Sequence, residues 1–163
     1  MMLAGLFRDP ARAARLLAFA VPAALLGGAY ISQYGFGLFP CEMCWWQRYP
    51  HFLALALGAL ALLRPQWRGA VLLAGLAILT SGLIGAYHAG VEYGWWPGLT
   101  ACTMNAAKGG DPLAAIMNAP LIRCDVAQWS LLGISLAGFN FLFSTSAGVL
   151  IVALLARARK GFR

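Results

Sequence analysis

The chain has 163 residues, of which 61% are hydrophobic and 10% are charged, and its formal net charge is +7. Soluble domains average about 45–50% apolar and about 25% charged residues. A globule of this size cannot bury so much apolar surface, so the composition excludes a soluble enzyme and a soluble nucleic-acid-binding module. It also excludes intrinsic disorder, which requires low hydrophobicity and high charge. The length predicts a single domain, residues 1–163.

Four long apolar stretches follow one another, at about residues 16–32, 45–63, 70–89 and 129–156. A bilayer core about 30 Å thick requires roughly 20 helical residues, and only helices or closed barrels satisfy their backbone hydrogen bonds in lipid. The stretches lack the two-residue alternation of a barrel strand. They therefore predict an all-α membrane protein, a four-transmembrane-helix bundle. The fourth stretch is longer than a span needs, so either it tilts or its first turn lies outside the membrane.

Basic residues indicate the orientation, because Lys and Arg concentrate on the cytoplasmic side. Nine of the 12 lie before the first stretch, between the second and third, or after the fourth: Arg8, Arg12, Arg15, Arg64, Arg68, Arg157, Arg159, Lys160 and Arg163. Both termini are therefore predicted to be cytoplasmic, with outward loops at about residues 33–44 and 90–128. In the second loop, Asp111-Pro112 before Leu113–Met117 predicts a short interfacial helix.

The first stretch has a second interpretation. Three arginines, the apolar run Leu16–Leu26 and the small residues after it are also typical of a cleavable signal peptide. Removing that stretch would leave the orientation of the others unchanged, so the charge pattern does not distinguish the two interpretations.

All four cysteines fall in the predicted outward loops, Cys41 and Cys44 in the first and Cys102 and Cys124 in the second. An oxidising compartment lets disulfides persist, and one pair per loop is the simplest of three connectivities. Cys41-Glu42-Met43-Cys44 closes a tiny loop that stabilises a fold weakly, which favours redox chemistry over an inert bridge. The second pair fits a structural bridge equally well. A Cys₄ zinc site usually has two short-spaced pairs, so no metal is predicted.

Cys44 lies near the start of the second stretch, where the positive end of the helix dipole favours a thiolate. Arg48 follows one turn later on the same face. It is placed to stabilise that thiolate or to donate hydrogen bonds to a carbonyl oxygen that gains charge on reduction. The alternative is an arginine that reaches lipid headgroups. Trp45, Trp46 and Tyr49 fit either an interfacial aromatic belt or the walls of a flat apolar pocket.

A dithiol centre in a membrane needs an electron acceptor, and lipid holds quinones. A quinone is planar and apolar and has two carbonyl oxygens, which matches an aromatic pocket with one arginine. His88, at the outward end of the third stretch, is a candidate proton donor to the reduced acceptor. His51 lies deeper and is assigned no role.

The motif Cys41-x-x-Cys44-x-x-x-Arg48 resembles the DsbB family of disulfide bond formation proteins, as do the four spans, the cysteines of the second loop and the segment Cys124–Ser135. The resemblance covers nearly the whole chain. It implies a thiol–disulfide oxidoreductase of the bacterial inner membrane with periplasmic cysteine loops. Such a protein reoxidises a DsbA-like thioredoxin-fold protein and passes the electrons to a membrane quinone, either ubiquinone or menaquinone.

The resemblance also implies a role for each site residue. Cys102 and Cys124 form the disulfide that oxidises the partner, and Cys102 takes the mixed disulfide. The freed Cys124 then attacks Cys41, and Cys44 becomes the thiolate beside the quinone. The resemblance implies two quinone-binding residues, Arg48 and His88, and Arg48 also stabilises the thiolate.

Two other classes compete with this interpretation. A vitamin K epoxide reductase-like enzyme is also helical, but its Cys-x-x-Cys is expected near the end of a late span. A non-catalytic membrane protein, such as a transporter subunit, would use the same cysteines as structural disulfides. Acidic residues inside the spans would favour transport, and the predicted spans contain none.

Overall fold

The computed structural model describes residues 9–100 and 122–160. These residues form four helices and one hairpin, in chain order α1 (Pro10–Gly35), α2 (Glu42–Leu63), α3 (Arg68–Glu92), β1 (Ser130–Leu131), β2 (Ile134–Ser135) and α4 (Leu136–Lys160). The predicted helical class is confirmed. The short helix predicted from Asp111-Pro112 lies outside the described residues.

Three of the helices, α1, α3 and α4, are long and apolar enough to cross a membrane. Helix α2 has the length, but Gln47, Arg48 and His51 in its first half lower its hydropathy. These three side chains are buried, so they face neighbouring helices, while residues such as Leu83 (63% exposed) and Leu73 (55%) cover the outside. Soluble proteins rarely expose so much apolar surface. The chain is a multi-pass membrane protein.

The fourth predicted span, residues 129–156, differs at its beginning, because the chain forms a hairpin before α4 begins at Leu136. Leu132 and Gly133 both have positive φ, 54° and 78°, as in the type I′ turn that suits two-residue hairpins. The Ser135 hydroxyl then accepts the Gly138 N–H at 3.1 Å and caps α4. Tyr93, just after α3, donates its hydroxyl to the Gly133 carbonyl at 3.1 Å and so holds the hairpin against that helix.

Each helix packs against its neighbours in the chain, and α1 also packs against α4. Small residues dominate the larger core, where buried alanines of α1, α2 and α3 meet Ile151, Leu154 and Leu155 of α4. In lipid, small residues let helix backbones approach closely and gain van der Waals contact. Gly58 of α2 shows how close: a Cβ there would lie 2.5 Å from the Ala18 carbonyl oxygen of α1.

Replacing Gly58 with alanine is expected to destabilise the α1–α2 contact by about 1–3 kcal/mol, the usual cost of overpacking. Gly27→Ala is the matched control, because a Cβ at Gly27 meets nothing within 4 Å. Thermal unfolding in detergent, followed by circular dichroism, should show a clear loss for Gly58→Ala only. An equal loss for both variants would contradict the close approach.

Candidate functional site

Cys41 and Cys44 lie at the beginning of α2, on the opposite end of the helices from the alanine-rich core. Cys41 is the N-cap, and its sulfur accepts the Cys44 N–H at 3.3 Å. Both cysteines are free, with their Sγ atoms 3.0 Å apart. A disulfide needs about 2.05 Å between the sulfurs, so a shift of about 1 Å would close the bond.

The two thiols differ in acidity. The hydrogen bond from Cys41 lowers the pKa of Cys44, while that interaction and burial raise the pKa of Cys41. Cys44 also lies in the first helical turn, ahead of the predicted span, where the helix dipole favours an anion. The pair is therefore set to hold one thiolate, on Cys44, with the Cys41 thiol donating to it.

Replacing Cys41 with alanine is expected to raise the pKa of Cys44, because the largest contribution to its lowering is lost. Cys41→Ser keeps a donor and should raise it less. The pH dependence of iodoacetamide alkylation at Cys44 measures this, since only the thiolate reacts. If both variants kept the alkylation profile of the wild type, the hydrogen bond from Cys41 would not control the thiolate.

His88, near the end of α3, lies against the same pair. Its Nε2 is 3.6 Å from the Cys41 sulfur and 3.2 Å from the Cys124 carbonyl oxygen. Its Nδ1 lies 2.8 Å from the Gln47 side-chain nitrogen. The imidazole is buried and connects the first cysteine loop to the second.

The amide of Gln47 fixes the tautomer of His88. Its nitrogen also donates to the Met43 carbonyl at 3.2 Å, and its oxygen accepts from Asn140 of α4 at 2.8 Å. With that orientation Gln47 donates to Nδ1, so a neutral His88 carries its proton on Nε2. His88 is therefore a hydrogen-bond donor toward Cys41 and the Cys124 carbonyl.

Arg48 lies one turn beyond Cys44 and points into the protein. It is 7% exposed and donates to Gln33 Oε1 at 2.7 Å and the Ala29 carbonyl at 3.3 Å, both on α1. The rings of Tyr30 and Trp45 lie 5.0 Å from its guanidinium carbon, within cation–π range. This burial contradicts the alternative that Arg48 reaches lipid headgroups.

Cys124 is buried and disulfide-bonded. It packs in a small core with Cys41, Met43 and Val91, and its sulfur lies 3.4 Å from the Thr100 hydroxyl oxygen. Cys102 lies outside the described residues. The structure thus brings Cys41, Cys44, His88 and Cys124 together, and the predicted pairing of Cys102 with Cys124 stays a prediction.

A cavity of about 290 Å³ opens beside the cysteine pair. Its polar lining includes Cys44, Arg48 and His88, and its remaining wall is mostly apolar, with the aromatic residues Phe39, Trp129, Phe139 and Phe143. Aromatic walls with a few convergent donors are typical of small-molecule sites. The aromatic, mainly apolar wall with the buried Arg48 cation beside it fits a flat apolar ring that carries hydrogen-bond acceptors.

The aromatic residues of α2 are placed differently from the predicted pocket. Trp45 contacts Arg48, but Trp46 and Tyr49 line a separate, shallow depression with Pro50. A helix turns by about 100° per residue, so neighbouring positions face different directions. The aromatic walls come instead from α4 and from the segments around Phe39 and Trp129.

A metal ion fits this cluster less well. The ligand atoms of Cys41, Cys44 and His88 lie within 4.8 Å of one another. A structural zinc site has four ligands, whereas the described residues bring three together here.

Four polar residues of this region are not predicted from the sequence, namely Gln33, Gln47, Glu92 and Asn140. Gln33 anchors Arg48, Gln47 and Asn140 orient His88, and Glu92 lines the cavity. Each is a polar residue within or next to an apolar stretch, and such residues usually face the protein interior. That signal identifies candidates without showing which of them meet.

The apolar outer surface, the helices and the cysteine pair beside a cavity define a class: a multi-pass helical membrane protein with a dithiol site. A family model described as Disulfide bond formation protein DsbB matches residues 11–155. Disulfide bond formation protein B of Verminephrobacter eiseniae is 34% identical, with 96% of this chain and 92% of the relative covered. The protein of that name from Aromatoleum aromaticum is also 34% identical, with 95% and 98% covered. No solved structure matches the chain.

The chain therefore belongs to the DsbB family of disulfide bond formation proteins, as its motif predicts. Membership implies a disulfide-generating oxidoreductase, which agrees with the free cysteine pair. It also decides against a vitamin K epoxide reductase-like enzyme and against a non-catalytic protein with structural bridges.

Proposed function

We propose that this protein reoxidises a DsbA-like periplasmic protein through Cys102 and Cys124 and passes the electrons through Cys41 and Cys44 to a membrane quinone. The observation that carries the proposal is the free cysteine pair, with sulfurs 3.0 Å apart, at the wall of a cavity that also contains Arg48. A structural bridge would have no use for a buried cation and an aromatic cavity beside it.

The packing supports transfer between the two cysteine pairs. Cys41 and Cys124 belong to one buried cluster, and His88 Nε2 lies near both the Cys41 sulfur and the Cys124 carbonyl. In the proposed sequence the partner's dithiol becomes a disulfide and reduces Cys102–Cys124. Thiol–disulfide exchange then moves the electron pair to Cys41–Cys44, each attack by a thiolate releasing one thiol.

The acceptor must be a strong oxidant. A DsbA-type protein has a potential of about −120 mV, compared with about −180 to −210 mV for a secretory glutathione pool. Reoxidation by that pool would be uphill by roughly 60 mV, or about 3 kcal/mol. A bound quinone supplies an acceptor for two electrons and two protons. The chain's own contribution is to hold the Cys44 thiolate, direct the Arg48 donor at a ring oxygen, and enclose the ring with aromatic walls. His88 would donate to the ring once its Nε2–H leaves the Cys124 carbonyl.

We propose four membrane spans with both termini in the cytoplasm of a bacterial inner membrane. Arg15, near the start of α1, lies 3.5 Å from the Pro65 carbonyl in the α2–α3 turn, so these basic segments share one end. The cysteines occupy the other end. The arrangement supports cytoplasmic basic residues and periplasmic cysteines. Helix α2 completes the fourth span, because its polar side chains are buried against the other helices.

The test is reconstitution. The purified protein, a reduced DsbA-like protein and either ubiquinone or menaquinone are combined, and oxidised thiols are counted against quinol formed. The proposal predicts many turnovers with one quinol per disulfide, and at most stoichiometric oxidation without quinone. Turnover that is independent of quinone would assign the electrons to another acceptor. Cys102→Ser should abolish trapping of the partner as a mixed disulfide, and normal trapping would show that another cysteine is attacked.

A further inference from the structure

Glu92, the last residue of α3, has a buried carboxyl group in the cysteine site. Its side chain is 7% exposed, and its Oε1 lies 3.7 Å from His88 Nε2. Its Oε2 is buried without a hydrogen-bond partner in the described part of the chain. An unsatisfied buried oxygen of this kind costs free energy, and more so when it is charged.

The carboxyl group faces the cavity, together with few other groups that titrate or carry charge. Six other such residues also line it, namely Cys41 just before α2, Cys44, Arg48 and His51 of α2, His88 of α3, and Arg123 of the loop before β1. Among the described residues of α1 and α4 that line it, none is titratable. Glu92 is thus the one carboxyl group of the lining that the structure describes.

His88 does not serve as a simple base there, whereas His51 has a buried Nδ1 without a hydrogen-bond partner among the described residues. Gln47 occupies Nδ1 of His88, whose proton therefore lies on Nε2. His51 has Nε2 3.1 Å from Asn140 Oδ1, and Asn140 is oriented by the hydrogen bond from its nitrogen to Gln47. His51 lies one turn deeper than Gln47 on α2, further from the sulfurs along the chain. Glu92 can also gain and lose a proton without breaking this network, and its Oε1 lies 3.7 Å from the His88 Nε2 that is itself 3.6 Å from the Cys41 sulfur.

Charge balance limits the cavity to about one anion. Arg48 supplies one buried cation, whereas Arg123 is bound to Asp125 through two hydrogen bonds of 2.9 and 2.6 Å. Besides the hydrogen bond from Cys41, which dominates, Glu92 raises the pKa of Cys44 and Arg48 lowers it. A Cys44 thiolate and a Glu92 carboxylate therefore compete for one cation, and their titrations are coupled.

We propose that Glu92 takes up the proton that Cys44 releases on becoming a thiolate, and returns it during oxidation of the pair. This rests on the proposed function. Closing the disulfide forms one S–S bond, breaks the Cys41 S–H bond and sends two electrons to the quinone. The two protons that the quinone requires then come from the Cys41 thiol and from the Glu92 carboxylic acid. The cavity keeps the same charge in the dithiol state whether Cys44 or Glu92 holds the proton.

Infrared difference spectroscopy tests the proton's place without quinone or partner. The Cys41–Cys44 pair is reduced and reoxidised chemically near neutral pH. Reduced minus oxidised spectra of the wild-type protein should show a carboxylic acid C=O band, because Glu92 is protonated only when the thiolate is present. The band should vanish in Glu92→Gln and persist in the control Glu42→Gln, whose side chain is exposed in the first turn of α2. A band that survives Glu92→Gln, or no band in the wild type, would overturn the proposal.

Kinetics test the return of the proton. With quinone and partner, Glu92→Gln should lower kcat by about 10²-fold or more, as for other acid–base groups, with little change in the quinone KM. Glu92→Asp should restore part of the rate. An unchanged kcat would overturn Glu92 as the proton carrier. If the wild type shows the infrared band but no quinone-dependent turnover, the proposed function is refuted, while the proton exchange between Cys44 and Glu92 stands.

Discussion

Cys44→Ala is expected to end catalytic turnover while leaving a single oxidising equivalent. Cys102 and Cys124 are untouched by the change, so their disulfide should still oxidise one molecule of partner. Reoxidation then needs the Cys41–Cys44 pair, because Cys41 alone cannot form the disulfide for which the two sulfurs, 3.0 Å apart in the wild type, are placed. The steady-state rate should fall by at least about a thousandfold, as when a nucleophile is removed from an enzyme.

The measurement counts partner disulfides per protein, first without and then with excess quinone. The wild type should give many with quinone, whereas Cys44→Ala should give about one under both conditions. Cys44→Ser is the matched variant, and its hydroxyl should not restore turnover because it is far less acidic than the thiol. Oxidation of that one partner molecule per protein would also show that the Cys44→Ala variant is folded. Sustained turnover in Cys44→Ala would refute the relay.

The sequence predicts the helices well because each is an apolar run of the length that a bilayer requires. It fails at residues 130–135, where the hairpin interrupts an apolar run. Leu132 is apolar and gives no sign of the positive φ that it adopts there. Hydropathy also gives no sign that Tyr93, 40 residues before Gly133 in the chain, holds this turn in place.

The site is predictable to the extent that its residues are close in sequence. Cys41, Cys44 and Arg48 share one helical face, which spacing alone reveals. Contacts such as Gln47 with Asn140 join positions 93 residues apart, and they depend on how each helix is rotated about its axis. Hydropathy does not encode that rotation, so Gln33, Glu92 and Asn140 emerge as partners only from the packed structure.

Arg48→Ala should weaken quinone binding far more than it slows the sulfur chemistry. The guanidinium is held in place by Gln33 and the Ala29 carbonyl, both neutral acceptors, so no carboxylate of the described residues is hydrogen-bonded to it. A hydrogen bond to a charged group is worth about 1.5–3 kcal/mol, which corresponds to a rise in the quinone KM of roughly 10- to 150-fold. The Cys44 thiolate should change less, because its pKa depends first on the hydrogen bond from Cys41.

Quinone KM and the pH profile of Cys44 alkylation, measured on the same variants, separate the two roles of Arg48. Arg48→Lys should retain the charge but lose the forked geometry that reaches Gln33 and Ala29 together, and so give an intermediate KM. Arg64→Ala, an exposed arginine at the opposite end of α2, is the control and should leave both measurements unchanged. An unaltered KM with a shifted alkylation profile would assign Arg48 to the thiolate alone. His88 would then be the candidate donor to the ring, once its Nε2–H leaves the Cys124 carbonyl.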